Sequence, residues 1–206
     1  MLAVNARFTK RDYNNLFNVA GVVKNYSKAL PALLFAARKG IPHAQNLVGY
    51  AHDLGLGTKR DVKAAAYWYK RAAQNGHVEG IFNLALCYAE GRGVQKNPQK
   101  AFALYRRAAL MGDAFAQCNL ATMYAEGTGT EANASLAAAW YRKSALKGDI
   151  KAQRNLGMCY LNGEGVRENR RAALRWLTVA ANGGNVKAAR QLARMSNVAA
   201  RDHLTA

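Results

Sequence analysis

Small, aliphatic and aromatic residues recur along this chain with a helical rather than an alternating period. The clearest stretch runs from Gly80 to Phe115, where Gly80 is followed by Leu84, Ala85 and Tyr88 and then by Gly91-Arg92-Gly93-Val94. At about 100° per residue the first four positions fall within one arc of about 140°, which predicts an amphipathic helix buried along one stripe. The Gly-x-Gly segment predicts its end, because glycine takes the left-handed conformation that other residues avoid. A second apolar pattern follows in Ala101, Tyr105, Ala108 and Ala109. Asn97 stands where that second helix needs an N-cap, and Pro98 sits at a first-turn position that tolerates it.

The whole pattern repeats every 36 residues. The glycine pairs are Gly55/Gly57, Gly91/Gly93, Gly127/Gly129 and Gly163/Gly165, and a closing glycine recurs at Gly76, Gly112, Gly148 and Gly184. The cap position is Asp61, Asn97, Asn133 and Asn169. A fixed period of this length marks a repeat architecture in which each unit buries its face against its neighbours. The expected fold is all-α, a right-handed superhelical α-solenoid of stacked antiparallel helix pairs with about 10–11 helices. As one solenoid domain over residues 1–206 it divides into a degenerate N-terminal capping repeat at 1–43, full units at 44–79, 80–115, 116–151 and 152–187, and a closing helix at 188–206. The opening unit keeps Asn25 and the Ala36-Ala37 pair but has Asp12 and Val19 where leucine and loop glycine belong.

Leu156-Gly157-Met158-Cys159-Tyr160-Leu161-Asn162-Gly163-Glu164-Gly165-Val166 and Ala137-Ala138-Ala139-Trp140-Tyr141-Arg142-Lys143-Ser144-Ala145 carry a resemblance to the Sel1-like repeat family, relatives of the tetratricopeptide repeats. The resemblance covers residues 25 to about 195 and implies an interaction module, an adaptor in signalling, secretion, cell-envelope or host-interaction systems. It also implies bacteria, where the family abounds. Fold alone does not choose among those roles.

Charge changes the picture of partners more than of fold. The formal net charge is +18, with seven Lys/Arg against one acid in residues 1–43 and nine against three in 152–206. Such a surface favours anionic partners. The three cysteines fall at Cys87, Cys118 and Cys159. Cys87 and Cys159 share a column two units apart, roughly 20 Å if each unit adds about 10 Å, beyond disulfide reach. Free thiols point to a reducing compartment. With no secretory leader or membrane span read at the N-terminus, the expectation is a cytoplasmic protein, the alternative being export or delivery to a host cell without a recognisable signal.

In arrays of this kind the first helix of each pair lines the concave face, so its non-core stripe is the expected binding surface. That stripe carries a column of amides, Asn83, Asn119, Asn155 and Gln191, suited to an extended peptide backbone because an amide both donates and accepts; the alternative is that these amides bond neighbouring helices or water. The middle of the stripe is apolar, with Phe82, Leu86, Phe115 and Met158. Its C-terminal end gathers Lys151, Arg154, Lys187, Arg190 and Arg194, a cluster able to hold carboxylates through charge-assisted bonds. Cys118 falls on the same stripe by column and could be reactive there, but the expected reading is a buried or half-buried, inert thiol. The basic pairs Lys70-Arg71, Arg106-Arg107 and Arg142-Lys143 fall on the second helices, on the expected convex side.

Chemistry is sparse. His43, His52, His77 and His203 are scattered, and none has metal-ligand spacing to a cysteine. The Gly-x-Gly loops follow no strand, so no dinucleotide fingerprint is present. The sequence therefore reads as a non-enzymatic protein with no metal and no cofactor, a scaffold that receives a protein or peptide segment, acidic where it meets the basic end. The second reading is a binder of RNA or DNA acting through spread charge, distinguished by steep salt dependence.

Overall fold

The computed structural model describes residues 26–204, with the surroundings of side chains 26–196. All described secondary structure is helical: α1 (Tyr26–Arg38), α2 (Pro42–Leu54), α3 (Val62–Gln74), α4 (Val78–Glu90), α5 (Pro98–Leu110), α6 (Ala114–Glu126), α7 (Ala134–Leu146), α8 (Ile150–Asn162), α9 (Arg170–Asn182) and α10 (Val186–Leu204). The chain divides into two compact units between Leu104 and Tyr105, within α5. Asp12, Val19 and Asn25, which belong to the expected opening repeat, lie outside the described residues, as does the side chain of His203.

Within each unit the helices follow the expected alternation, α2, α4, α6, α8 and α10 being the first helices of pairs and α3, α5, α7 and α9 the second. The first helices stop at glycine. Gly91 adopts φ 76° and returns its N–H to the Cys87 carbonyl, and Gly163 does the same at φ 71° with Cys159. Two residues later the need is different. A Cβ on Gly93 would run into the backbone carbonyl of Val62, at the start of α3, and one on Gly165 into that of Ala134, at the start of α7. The second glycine is thus the point where one repeat's loop lies directly on the preceding repeat's second helix. Asp61, Asn97, Asn133 and Asn169 cap the second helices as expected, accepting from Ala64, Lys100, Leu136 and Ala172 respectively. Each cap residue also ties its own N–H back to the first helix, Asn97 to the Tyr88 carbonyl and Asn169 to that of Tyr160, both at 2.8 Å.

The cores are built of small residues and a few large ones. In the first unit Leu33, Ala37, Ala44 and Val48 pack with Trp68 at their margin. In the second, Ala121, Ala138, Tyr141, Ala145 and Leu156 form the centre, with Trp140 and Trp176 against it. Alanines let helix axes approach, and the aromatics fill the remaining volume.

Burial of the first helices is wider than the expected arc. Ile81 and Cys87 are buried beside Leu84 and Ala85 in α4, and Gln117 and Met123 beside Leu120 and Ala121 in α6. A first helix in a stack meets its own second helix and those on either side, so more than one stripe leaves water. The buried glutamines form a column the hydrophobic pattern did not reveal. Gln45, Gln117 and Gln153 each donate to the carbonyl eight residues earlier, Ala37, Ala109 and Ala145, near the end of the preceding second helix. An amide there satisfies a helix-end carbonyl that water cannot reach. Cys118 is the buried, inert thiol expected of it, although its column alone would turn it to the groove. It is buried beside Asp149 rather than turned to a groove, and burial pushes its thiol up to about 12.

Candidate functional site

In the first unit, the predicted side chains Phe82, Asn83 and Leu86 are half-buried on α4. Asn83 donates to Asn46 of α2 at 2.9 Å, and Asn46 is itself buried. The amide column here links successive first helices. His43 and His77, distant in sequence, meet with ring nitrogens 3.1 Å apart. Arg92 bridges the carboxylates of Asp53 and Glu90.

The second unit gathers more of the predicted surface. Three adjoining clefts lie along α6, α7, α8 and the turn into α10. One, of about 430 Å³, lies between Lys151, Arg154 and Asn155 of α8 and the Gly184–Lys187 segment that opens α10. Its neighbour, of about 490 Å³, shares Arg154 and Asn155 and reaches Tyr141, Met158 and Thr122. A third, of about 470 Å³, shares Lys151 and is walled by Phe115, Lys147 and Ile150. Six predicted residues are therefore brought together here: Phe115, Lys151, Arg154, Asn155, Met158 and Lys187. Gln191, Arg190 and Arg194 lie further along α10, the arginines exposed, and Asn119 is half-buried on α6.

Electrostatics distinguish the first of these clefts. No acidic side chain lines it, and among the described residues Lys151, Arg154 and Lys187 form no ion pair. The Gly184–Lys187 segment that opens α10 lines the same cleft, with Asn185 accepting from the Ala188 N–H at 3.0 Å. The arrangement is one of positive charge beside a helix N-terminus, suited to holding a carboxylate. Asn155 is not idle. Its oxygen accepts from Arg154 at 2.8 Å, fixing the guanidinium over the cleft, and its amide bonds the Tyr141 hydroxyl. Tyr141 is also paired with Thr122 at 3.0 Å, and burial raises its pKa above the ordinary phenol value.

Nothing among the described residues forms a group of three or more His, Cys, Asp or Glu side chains able to hold a metal, and no described helix is long and apolar enough to cross a membrane. The three cysteines are free and buried, with thiols pushed up to about 11 for Cys87 and Cys159.

Stacked helix pairs of 36 residues with glycine loops define an α-solenoid repeat protein. Residues 42–77, 78–113, 114–149 and 150–185 each match the Sel1 repeat, and the chain belongs to that family. Among solved structures it is similar to a protective antigen from uropathogenic Escherichia coli with a Sel1-like repeat fold, at 35% identity and a TM-score of 0.78, over 81% of this chain and 36% of that one. A Sel1 repeat protein from Oxalobacter formigenes aligns at 31% identity and 0.75, over 82% of this chain and 49% of that one. This chain thus spans about a third and about half of the lengths of those two relatives. A Sel1 repeat protein from Klebsiella pneumoniae shares the fold at 21% identity and 0.56, with 93% and 98% of the two chains covered. None of the curated proteins matches. Sel1 repeat proteins commonly act as protein–protein interaction scaffolds.

Proposed function

We propose that this protein is a non-catalytic scaffold that receives an acidic segment of a partner protein on the basic cleft of its second unit. The observation that carries this reading is the convergence of Lys151, Arg154 and Lys187 with the opening turn of α10 on one cleft without an acidic wall. Charge-assisted bonds to a carboxylate are about twice as strong as neutral ones, and a concave site shields them from screening. Arg190 and Arg194, exposed on α10, extend the positive field for capture. The free, buried thiols suit a reducing compartment such as the cytoplasm.

Binding of acidic peptides from a peptide array tests the reading. The double variant Arg154→Glu/Lys187→Glu, and separately Arg190→Glu/Arg194→Glu, should lose that binding, about tenfold or more for the cleft pair. Unchanged binding by both variants would discard it. A second reading, an anionic polymer held by spread charge, draws on the exposed pairs Lys70-Arg71, Arg106-Arg107 and Arg142-Lys143. Nucleic acid held that way should lose orders of magnitude in affinity over a modest rise in salt, whereas a segment held in the cleft should keep much of its own.

A further inference from the structure

Two of the clefts in the second unit are the same cleft one repeat apart. Ala114-Phe115, Ile150-Lys151 and Val186-Lys187 occupy equivalent positions at the start of α6, α8 and α10. The cleft between the first two pairs is lined by Phe115 and Ile150, exposed by 63% and 38%, together with Lys147 and Asp149, and the cleft between the last two by Val186, Lys187 and Arg154. Lys151 lines both. At the next step lysine stands where the first recess has Phe115, and Asn185 stands where it has Asp149, so the second recess loses an aromatic wall and its one acid and becomes the more basic of the two. Exposed phenylalanine beside a recess of this size is a cost in water that a covering side chain removes.

We propose that the partner segment is bipartite: one apolar side chain seats against Phe115 and Ile150, and a carboxylate about three residues away seats between Lys151, Arg154 and Lys187. The proposal rests on the acidic-segment reading above and specifies its partner. Charge complementarity selects the acidic half, and the spacing follows from geometry. Taking one packed-helix spacing, about 10 Å, as the step from one recess to the next, and about 3.3 Å of advance per residue of extended chain, the two recesses are spanned by about three residues. The surface is the edge formed by the turns entering the first helices. Its recesses are concave and accept individual side chains, whereas a bilayer surface would call for projecting ones.

Selection from a random-peptide library against the full chain tests this. The expected enrichment is an apolar residue followed or preceded at about three positions by Asp or Glu. Phe115→Ala and Ile150→Ser, both at exposed positions, should abolish the apolar preference and weaken the selected peptides about tenfold while leaving the acidic preference. Lys187→Glu should do the reverse. Thermal melts of each variant confirm that the fold persists. Enrichment for acids with no apolar residue at fixed spacing overturns this inference and leaves the acidic-segment reading standing. No acidic enrichment at all overturns both. Binding to phosphatidylserine vesicles that Phe115→Ala weakens, with no peptide enriched, assigns the edge to a lipid surface and overturns the proposal as well.

Discussion

The two units are built from one repeat and use their polar groups in opposite ways. In the first, polar side chains of successive repeats bond one another, Asn83 to Asn46, His77 to His43 and Arg92 to Asp53, and Arg92 also pairs with Glu90 of its own repeat. In the second, the equivalents of these positions include Arg154's neighbour Asn155, Asp113 and Asp149 as helix caps, and Thr128 and Glu164 in place of Arg92. The lysines and Arg154 at the turn into α10 meet no acid in the cleft they line. A repeat scaffold fixes where side chains stand and leaves their chemistry open, so self-pairing in one stretch and an unneutralised cleft in another cost the fold little.

The largest expected effects test what the units share. Gly93→Ala and Gly165→Ala each place a methyl on a left-handed residue and against a carbonyl of the preceding repeat. Each should cost about 3 kcal/mol, combining backbone strain with a steric clash, read from urea unfolding followed by circular dichroism. A loss of under half that in either would mean the glycine joint differs between units. Arg92→Ala comes next and should act on the first unit alone. It strands the carboxylate of Asp53, whose side chain is 11% exposed, and should cost about 2 kcal/mol, whereas Thr128→Ala at the matching position should be near neutral. Equal losses would erase the contrast between the units.

Legibility followed the period. Glycine, cap and alanine columns were readable because each answers a backbone requirement that recurs unchanged, as the left-handed Gly91 and the capping Asn133 do. The site was partly readable, since the stripe made of the residue before each repeat's small position and those two, three and six after it held Lys151, Arg154 and Lys187. The glutamine column was not, nor was the place of Asp149 beside the buried Cys118, because a buried polar group is betrayed by its partner, and partners are invisible to a periodicity. Ser144 is the same case: at an alanine position, its hydroxyl donates to the Ala114 carbonyl at 2.7 Å. The contact between His43 and His77 was hidden for another reason, since the two rings belong to successive repeats but to columns two positions apart.

The thiols give a smaller and unit-independent effect. Burial lifts Cys87 and Cys159 to about 11 and Cys118 to about 12. Their raised pKa values make the folded state favour the thiol, so this contribution is complete below the unfolded value near pH 8.5 and is lost as pH rises through about 11 to 12. Ellman's reagent at neutral pH should label all three slowly in the native protein and promptly in urea. Fast labelling of Cys118 without denaturant would show that α6 opens locally.

The smallest effect sharpens the comparison most. First helices in the second unit are capped by Asp113 and Asp149, whose carboxylates accept from Ala116 and Ala152, while α4 in the first is capped by His77, whose Nδ1 accepts from Gly80 at 3.2 Å. That bond requires a bare Nδ1, so neutral His77 carries its proton on Nε2 and donates to Nδ1 of His43. Burial holds both imidazoles below their ordinary pKa, outweighing the upward pull of Glu79, which lies 3.4 Å from His77. A depressed pKa means stability that is present above the unfolded value near 6.5 and lost as pH falls through the folded values below it. Acidification to about pH 5 should therefore loosen the N-terminus of α4 by about 1 kcal/mol, a cap's worth, before the carboxylate-capped α6 and α8 respond. His77→Asp should remove that loss by giving α4 the cap of its neighbours. Amide exchange at Gly80, compared with Ala116 and Ala152 at both pH values, reads the difference directly, and equal protection at all three in the native protein would mean the histidine cap is no weaker than the aspartates.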